Sequence, residues 1–517
     1  MKKFLIILFL AFSQSISCQN WIQYYGYGHQ PYSYYCLEHY DRGYLLAGDI
    51  QNIHYGWLIK TDINGNVLWD KKIGNGSSYN SISCVERANE NGLILSGGTT
   101  QFNSPNFDPF IIKLNKCGEL EWCRILVLDN ENDGDFGVKP TLDGGYILGG
   151  LFFGNNPYDR IRMFKFDSIG ELLWVKIYNK TSNINSEAIQ TMYTDDSTIL
   201  LTGSAYTPNW LRPYFIETDT AGNEKWRLVY SQHTDTSYVG EAWTTVKSST
   251  GNYYSAARRE NSPELLKFSG QGYELMNHDL LSSMPEFGGT SKVITMLDDT
   301  TIIIDGSWAS SSTNGYWALF KTDTLGNAKT TKYLPDPTHS GSSWITKTFD
   351  NKILLFGLND VNGSTRVILQ KFNSNLDYDS VYTRQFTYDS LCPQPIVSDT
   401  IVPSCAVVGI DEPFKNPETA ALKVYPNPAG SIVTVEFPKH LIVRQGNSSF
   451  GFTTVYERWK STTLEVYDVS GKRILQQEIV RTQTTMELDV SAWHGGMYYF
   501  RLVYNNQTVG EAKVVVE

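Results

Sequence analysis

The sequence predicts an all-β protein, a seven-bladed β-propeller followed by a small C-terminal β-sandwich, and three observations carry that expectation. The stretch Lys60-Thr61-Asp62-Ile63-Asn64-Gly65-Asn66-Val67-Leu68-Trp69 returns at Lys113 to Trp122, Lys165 to Trp174 and Glu217 to Trp226, then in worn form from Lys267, Lys321 and Lys371. The steps between these anchors are 53, 52, 52, 50, 54 and 50 residues, a period that belongs to propellers and similar arrays. Beyond Leu422 the repeat stops, and alternating strands such as Leu464-Val466-Asp468 and Tyr498-Phe500-Leu502 take over with a Ser-Gly turn between them.

Within each copy the turn chemistry specifies a hairpin. Gly65, Gly118, Gly170, Gly222, Gly272 and Gly326 each stand five residues after their anchor, where a hairpin tip needs φ above zero and glycine adopts it without a Cβ clash. Asp62, Asn115, Asp167, Asp219 and Asp323 stand three residues earlier, within reach of the turn backbone. The seventh copy has Leu376 at the glycine position with Asn375 beside it. The tryptophan four residues past the glycine opens an outer strand and offers a large apolar contact to the neighbouring unit.

Runs such as Tyr44-Leu45-Leu46-Ala47, Leu93-Ile94-Leu95-Ser96 and Tyr146-Ile147-Leu148-Gly149 are apolar on both sides, so both faces of these strands need cover. A preceding strand (Ile82 to Glu86, for example) and the hairpin pair bring each unit to four strands. Residues 21 to 26 match Trp69 to Gly74, an outer strand without its own hairpin. Either this strand pairs with the last unit and closes a circle, or Asp379 to Phe386 already fills that place.

At 517 residues the chain exceeds one small domain, and 41% hydrophobic residues make it globular rather than disordered. Aromatic content of 13% suits strands. A net charge of -11 argues against nucleic acid as a partner, because phosphate binding wants a basic surface. Met1-Lys2-Lys3, the apolar run Phe4 to Phe12 and the small residues to Cys18 read as a secretory signal over residues 1–18. Cys18 also permits a lipoprotein reading. That run is too short to span a bilayer, and no later stretch is long enough, so no transmembrane segment is expected.

The six cysteines after Cys18 suggest disulfides in an exported chain. The expected pairs are Cys117 with Cys123 on one hairpin, Cys392 with Cys405 around a proline-rich stretch, and Cys36 with Cys84 at matching places in the first two copies; free buried thiols are the alternative. Residues 19–386 form the expected propeller. Residues 387–421, with Pro393, Pro395, Pro403, Pro413 and Pro417, read as a linker.

Copies one to four resemble short secreted propeller repeats, on the pattern of a polar-Gly-Gly-Tyr strand, a Lys-Thr-Asp turn and the Gly-to-Trp hairpin. Residues 422–517 resemble a type IX secretion C-terminal sorting domain of type A. The matching motifs are Val424-Tyr425-Pro426-Asn427-Pro428, Leu464 to Lys472 with Asp468 and Gly471, and Leu488-Asp489-Val490 leading to Gly495-Gly496-Met497-Tyr498, followed by a closing strand with Lys513. A long insertion, Pro438 to Thr462, departs from the family pattern. The resemblance implies a domain that carries its cargo across the outer membrane through the type IX machinery, leaving the protein at the cell surface or released.

Chemistry is harder to find. Paired carboxylates would suit a glycosidase, yet Asp62, Asp167, Asp219 and Asp323 recur with the fold and are expected to serve its turns. Asp129 to Asp135 partly imitates a calcium loop, but position twelve is Pro140 where a bidentate Glu belongs, so a solvated loop competes with calcium there. The eight histidines form no metal motif, and neither a nucleophile elbow nor a phosphate loop occurs. The hairpin is also similar to quinoprotein dehydrogenase repeats, but it is one residue shorter and lacks their adjacent cysteine pair. Trp243 and Trp344, near the beginnings of inner strands, are candidates for stacking on sugar rings, with packing between blades as the alternative. The expected function is binding of glycan or protein by an exported propeller without a cofactor; the alternative is an extracellular carbohydrate-active enzyme.

Overall fold

The computed structural model describes residues 21–101, 107–127, 133–152, 160–178, 185–195, 198–206, 211–231, 239–260, 262–280, 287–311, 314–334, 340–361, 364–409, 420–437, 463–479, 485–504 and 507–517. The signal segment and the 438–462 insertion therefore lie outside the described residues. The chain divides into two compact units, one ending at Ile410 and one beginning at Asp411. Among the described residues no helix is long and apolar enough to cross a membrane.

The first unit consists of consecutive four-stranded antiparallel sheets, one per copy of the repeat. Sheet one comprises Pro31–Glu38, Tyr44–Ile50, Tyr55–Thr61 and Val67–Ile73; sheet two comprises Asn80–Arg87, Leu93–Thr99, Asp108–Leu114 and Leu120–Val127. Sheets three to six follow the same plan from Asp133–Pro140, Asn185–Asp195, Gly240–Lys247 and Phe287–Asp298. The seventh takes three strands from the end of the repeat region, Ser340–Lys347, Ile353–Val361 and Ser364–Phe372, and its fourth from Ile22–Tyr25. That last strand runs antiparallel to Ser364–Phe372, with Ile22 opposite Gln370 and Tyr25 opposite Val367. The N-terminal strand thus joins the last sheet, and Asp379 to Phe386 contributes none of its strands.

The hairpin turn behaves as its residues dictate. Gly65, Gly118, Gly170, Gly222, Gly272 and Gly326 have φ between 69° and 84°. The Asp62 carboxylate accepts the backbone N–H groups of Asn64 and Asn66, both at 2.8 Å. The same two bonds recur at Asn115, Asp167, Asp219, Ser269, Asp323 and Asn373. A Cβ on Gly170, Gly222 or Gly272 would stand within 2.8 Å of the tryptophan on the preceding sheet's outer strand, Trp122, Trp174 or Trp226. Glycine therefore serves both the turn and the close approach of the neighbour. Leu376 itself holds φ at 67° and is buried. The preceding sheet has Thr330 where sheets one to four have tryptophan, and the leucine side chain lies in the core that holds Leu334, with Trp317 packed against it.

Strand alternation then sends successive residues to opposite neighbours. Leu45 and Ala47 pack in a core shared with sheet two, whereas Tyr44 and Leu46 join Leu354, Phe356 and Leu369 of sheet seven. The remaining neighbours share further apolar cores, with Ile147 facing sheet four, Leu200 facing sheet five and Tyr254 facing sheet six. The strand Tyr44–Ile50 is buried along its whole length, as apolar character on both sides requires.

Residues 387–409 are not a linker. They cross the outer edges of sheets one and two, adding Asp399–Ile401 parallel to Val67–Ile73 and Ala406–Gly409 parallel to Leu120–Val127. Ile396, Ile401 and Cys405 pack against the core between these sheets. The Trp69 indole donates to Asp389 at 2.9 Å, and Ile63 N–H donates to the Tyr388 hydroxyl at 2.9 Å. Two disulfides fasten this strap, Cys117 to Cys392 and Cys123 to Cys405, which corrects all three expected pairings. On the hairpin Cys123 lies opposite Ile112 while Cys117 sits in the turn, so the two do not face each other. Cys36 and Cys84 are separate buried thiols, packed in different cores.

One carboxyl is out of place in this apolar arrangement. Asp305 stands where sheet one has Ala47; it is fully buried and accepts the N–H groups of Val293 at 2.5 Å and Lys292 at 3.3 Å. Burial pushes its pKa up to about 6, opposed by those hydrogen bonds and by the Lys292 charge.

Two outcomes are expected. Digestion after glutamate and before aspartate, which cuts between Cys117 and Cys123 and between Cys392 and Cys405, should release peptides linked 117–392 and 123–405 under non-reducing conditions; a 117–123 link would contradict the strap. For Asp305, the folded state takes up the proton more readily than the unfolded chain. Its contribution therefore improves as pH falls through about 6 and is complete below the unfolded value. Relative to Asp305→Asn, the natural protein should gain roughly 1–3 kcal/mol of stability between pH 7.5 and 4.5. A difference that stays constant across that range, measured by denaturant unfolding, would contradict it.

Candidate functional site

In the second unit a five-stranded sheet containing Thr463–Asp468, Gly496–Tyr504 and Gln507–Val516 packs with a three-stranded sheet of Lys423–Tyr425, Ile432–Glu436 and Thr485–Asp489. Val433, Val435, Met486 and Leu488 meet Leu464, Val466, Phe500 and Val514 in one core. This is the alternation expected of a small sandwich.

The motif residues have separable roles. Tyr425 is half-exposed at the end of its strand, and Pro426 and Pro428 both follow cis peptide bonds. Between them Asn427 does what the prolines cannot. Its side-chain amide donates to the Lys513 carbonyl at 2.8 Å and accepts from Val515 N–H at 2.9 Å, standing in for a strand against Gln507–Val516. Asp468 caps the next turn by accepting from Ser470 and Lys472 N–H, with Gly471 at φ 81°. This is the same device as in the hairpins of the first unit. Gly496 opens the strand in which Tyr498 is buried, its hydroxyl donating to the His494 carbonyl at 2.9 Å. The Lys513 ammonium lies 5.7 Å from the Tyr499 ring centre.

In the first unit the first strand of every sheet carries a register shift at a matching position, among them Ser33/Tyr35, Ile82/Cys84, Ala242/Thr244 and Ser342/Trp344. Such bulges re-aim side chains. They place Trp243 under the Lys292 ammonium, 5.0 Å from the ring centre, with Trp317 5.7 Å from the same cation. Trp344 instead packs on Tyr35 with ring centres 4.3 Å apart, and it lies against the cores on both sides of sheet seven. Both tryptophans are partly buried, each against its own set of neighbours. The bulge had no signal in composition or spacing, because it is an extra residue in a strand with ordinary side chains.

Two carboxyl clusters bear on chemistry. Asp49 is fully buried, and burial pushes its pKa up to about 6; one of its oxygens accepts both the Tyr34 hydroxyl at 2.9 Å and the Tyr79 hydroxyl. Among the described residues His39, Asp41 and Asp389 stand close enough to suggest a cation site. The cation is already there, because the buried Lys60 ammonium lies 2.6 Å from Asp41 and 3.0 Å from His39 Nδ1. Burial alone would raise Asp41, but His39 and Lys60 hold its carboxyl well below the usual range. The Asp41 carboxylate also accepts the Asp389 N–H at 3.0 Å, so the cluster seats the strap. The calcium-like stretch from Asp129 begins outside the described residues.

Residues 423–517 match the family model described as a secretion system C-terminal sorting domain. No curated protein matches the chain. Similar solved structures include a protein of unknown function from Dyadobacter fermentans DSM 18053, at 12% identity over 55% of this chain and 93% of that one, with a TM-score of 0.40. A protein of unknown function from Bacteroides caccae, at 10% identity over 46% of this chain and 77% of that one, has a TM-score of 0.31. Puromycin hydrolase, at 11% identity, covers 64% of this chain and 52% of its own, with a TM-score of 0.41. These likenesses assign no activity to the chain. Motifs, sandwich and family model agree on the C-terminal unit: it is a type IX secretion sorting domain, and the protein is exported across the outer membrane to the cell surface or the medium.

Proposed function

We propose that the repeated sheets are the blades of a seven-bladed β-propeller closed by Ile22–Tyr25, and that this propeller is an extracellular binding module for protein or glycan. The observation that carries the reading is where the repeated polar groups are spent. Asp62, Asp167, Asp219 and Asp323 each cap their own turn, so the residues that recur most often serve the scaffold. Asp49 is raised toward neutrality as a general acid requires, but it is buried under two tyrosine hydroxyls. That favours binding over the carbohydrate-active alternative.

The disposition of cores supports the closed ring, since sheet seven shares apolar side chains with sheet one as every other sheet does with its successor. Variation between blades then falls on loops and on strand ends, where a rigid scaffold usually carries recognition.

Two measurements test the proposal. Deleting Leu422 to Glu517 should strand the protein in the periplasm; recovery of the truncated form in culture medium would overturn the routing. The purified full-length protein on a glycan array, alongside a blot against outer-surface proteins, should be retained by a defined class of one or the other. Release of new reducing ends from any arrayed glycan would establish the enzymatic alternative instead.

A further inference from the structure

The fourth copy of the repeat departs from the others at its anchor, which is Glu217 where the remaining six have lysine. In the seventh copy the buried Lys371 ammonium donates to the hydroxyl of Tyr44 on the next sheet at 2.9 Å. Glu217 accepts from the matching hydroxyl of Tyr253 at 2.5 Å, so donor and acceptor are exchanged. The partner eight residues after the anchor changes sign too. Asp379 lies 3.9 Å from Lys371, and Lys225, at the same position of its own copy, lies 3.0 Å from Glu217.

The seventh copy shows what this arrangement can hold. Tyr382, from the chain just before the strap, enters between sheets seven and one. Its hydroxyl accepts from Lys371 at 2.8 Å and Lys352 at 2.9 Å, and it lies 2.8 Å from an Asp379 oxygen. Its backbone is read by one side-chain amide: the Tyr382 N–H donates to Asn64 at 2.7 Å, and its carbonyl accepts from Asn64 at 2.9 Å. Lys371 lies opposite Leu354 as Glu217 lies opposite Leu200. That register places Thr198, Glu217 and Lys225 at the positions of Lys352, Lys371 and Asp379. Gln271, two residues after the Ser269 cap, matches Asn64, two residues after Asp62. Together with Lys247 and Asn252 these four line a cavity of about 280 Å³ between sheets four and five.

We propose that this cavity is a docking niche for a tyrosine presented on an extended segment of a partner protein, an assignment that rests on the propeller being a binding module. The phenol reaches Lys225 and Glu217, and the Gln271 amide spans the peptide group as Asn64 does. One side chain fits the volume, which is just below the range of about 300–1,000 Å³ for drug-sized ligands. A paired donor and acceptor at the mouth suits a main-chain amide.

The probe is the acetylated, amidated peptide Ser-Val-Tyr-Thr-Arg-Gln-Phe, the sequence of residues 380–386, titrated calorimetrically into the full-length protein, with its Tyr-to-Ala counterpart as control. Saturable binding is expected, roughly tenfold weaker for the alanine peptide and for the protein variants Gln271→Ala and Thr250→Trp. Both substituted positions are exposed, so the fold should survive either change. No binding at millimolar peptide, equal binding of the two peptides, or indifference to both variants would overturn the niche. Binding of glucose, galactose or glucuronate that Thr250→Trp abolishes would overturn the peptide assignment as well. Retention on the glycan array or the surface-protein blot alongside a negative titration would remove the niche while leaving the binding module intact.

Discussion

A short polar side chain that closes two backbone N–H groups at each hairpin is the interaction on which the first unit depends. Asp62 and its counterparts fix the tip, the tip fixes the register of the two outer strands, and register decides which residues face which neighbour. Each cap contributes only about 1 kcal/mol as an ordinary hydrogen bond. Its structural consequence is larger, because a one-residue slip would turn every apolar side chain of the strand toward the wrong sheet. The glycine three residues on extends the constraint to the preceding sheet, since Gly170, Gly222 and Gly272 leave room for a tryptophan that no Cβ would allow.

Two of the departures from this rule show how it is compensated. Leu376 holds a backbone conformation usually left to glycine, and its side chain is buried in the core between sheets six and seven. Trp69 meets the strap rather than a glycine, and its indole is satisfied by Asp389. The cost of an open sheet edge is met in the same region: the strap pairs with the outer strands of sheets one and two, and two disulfides hold it there. An exported chain meets an oxidising compartment before its destination, so such bonds persist.

Most of the fold was legible because it is repeated. Spacing, turn glycines, capping residues and the sorting motifs all lie within short stretches, where local chemistry decides the outcome. Contacts between distant parts of the chain were not legible. Cys117 and Cys123 are six residues apart and look like partners, but one sits in the turn and the other opposite Ile112, and each bonds a different point of the strap. The proline-rich stretch lacks periodicity, and nothing in its composition distinguishes a free linker from a strand added to an edge. The niche at Glu217 was visible only as one departure from a repeated lysine. Its meaning needed Tyr382 in the corresponding place.

The central claim is that the sheets close on themselves through the N-terminal strand. Hydrogen–deuterium exchange on the intact protein and on a form lacking residues 21–26 tests it most directly. The account predicts that removing the strand exposes the amides of Ser364–Phe372 that pair with it and weakens protection in the core shared by sheets seven and one, while sheets three to five keep theirs. Unchanged protection along Ser364–Phe372 would contradict closure by this strand.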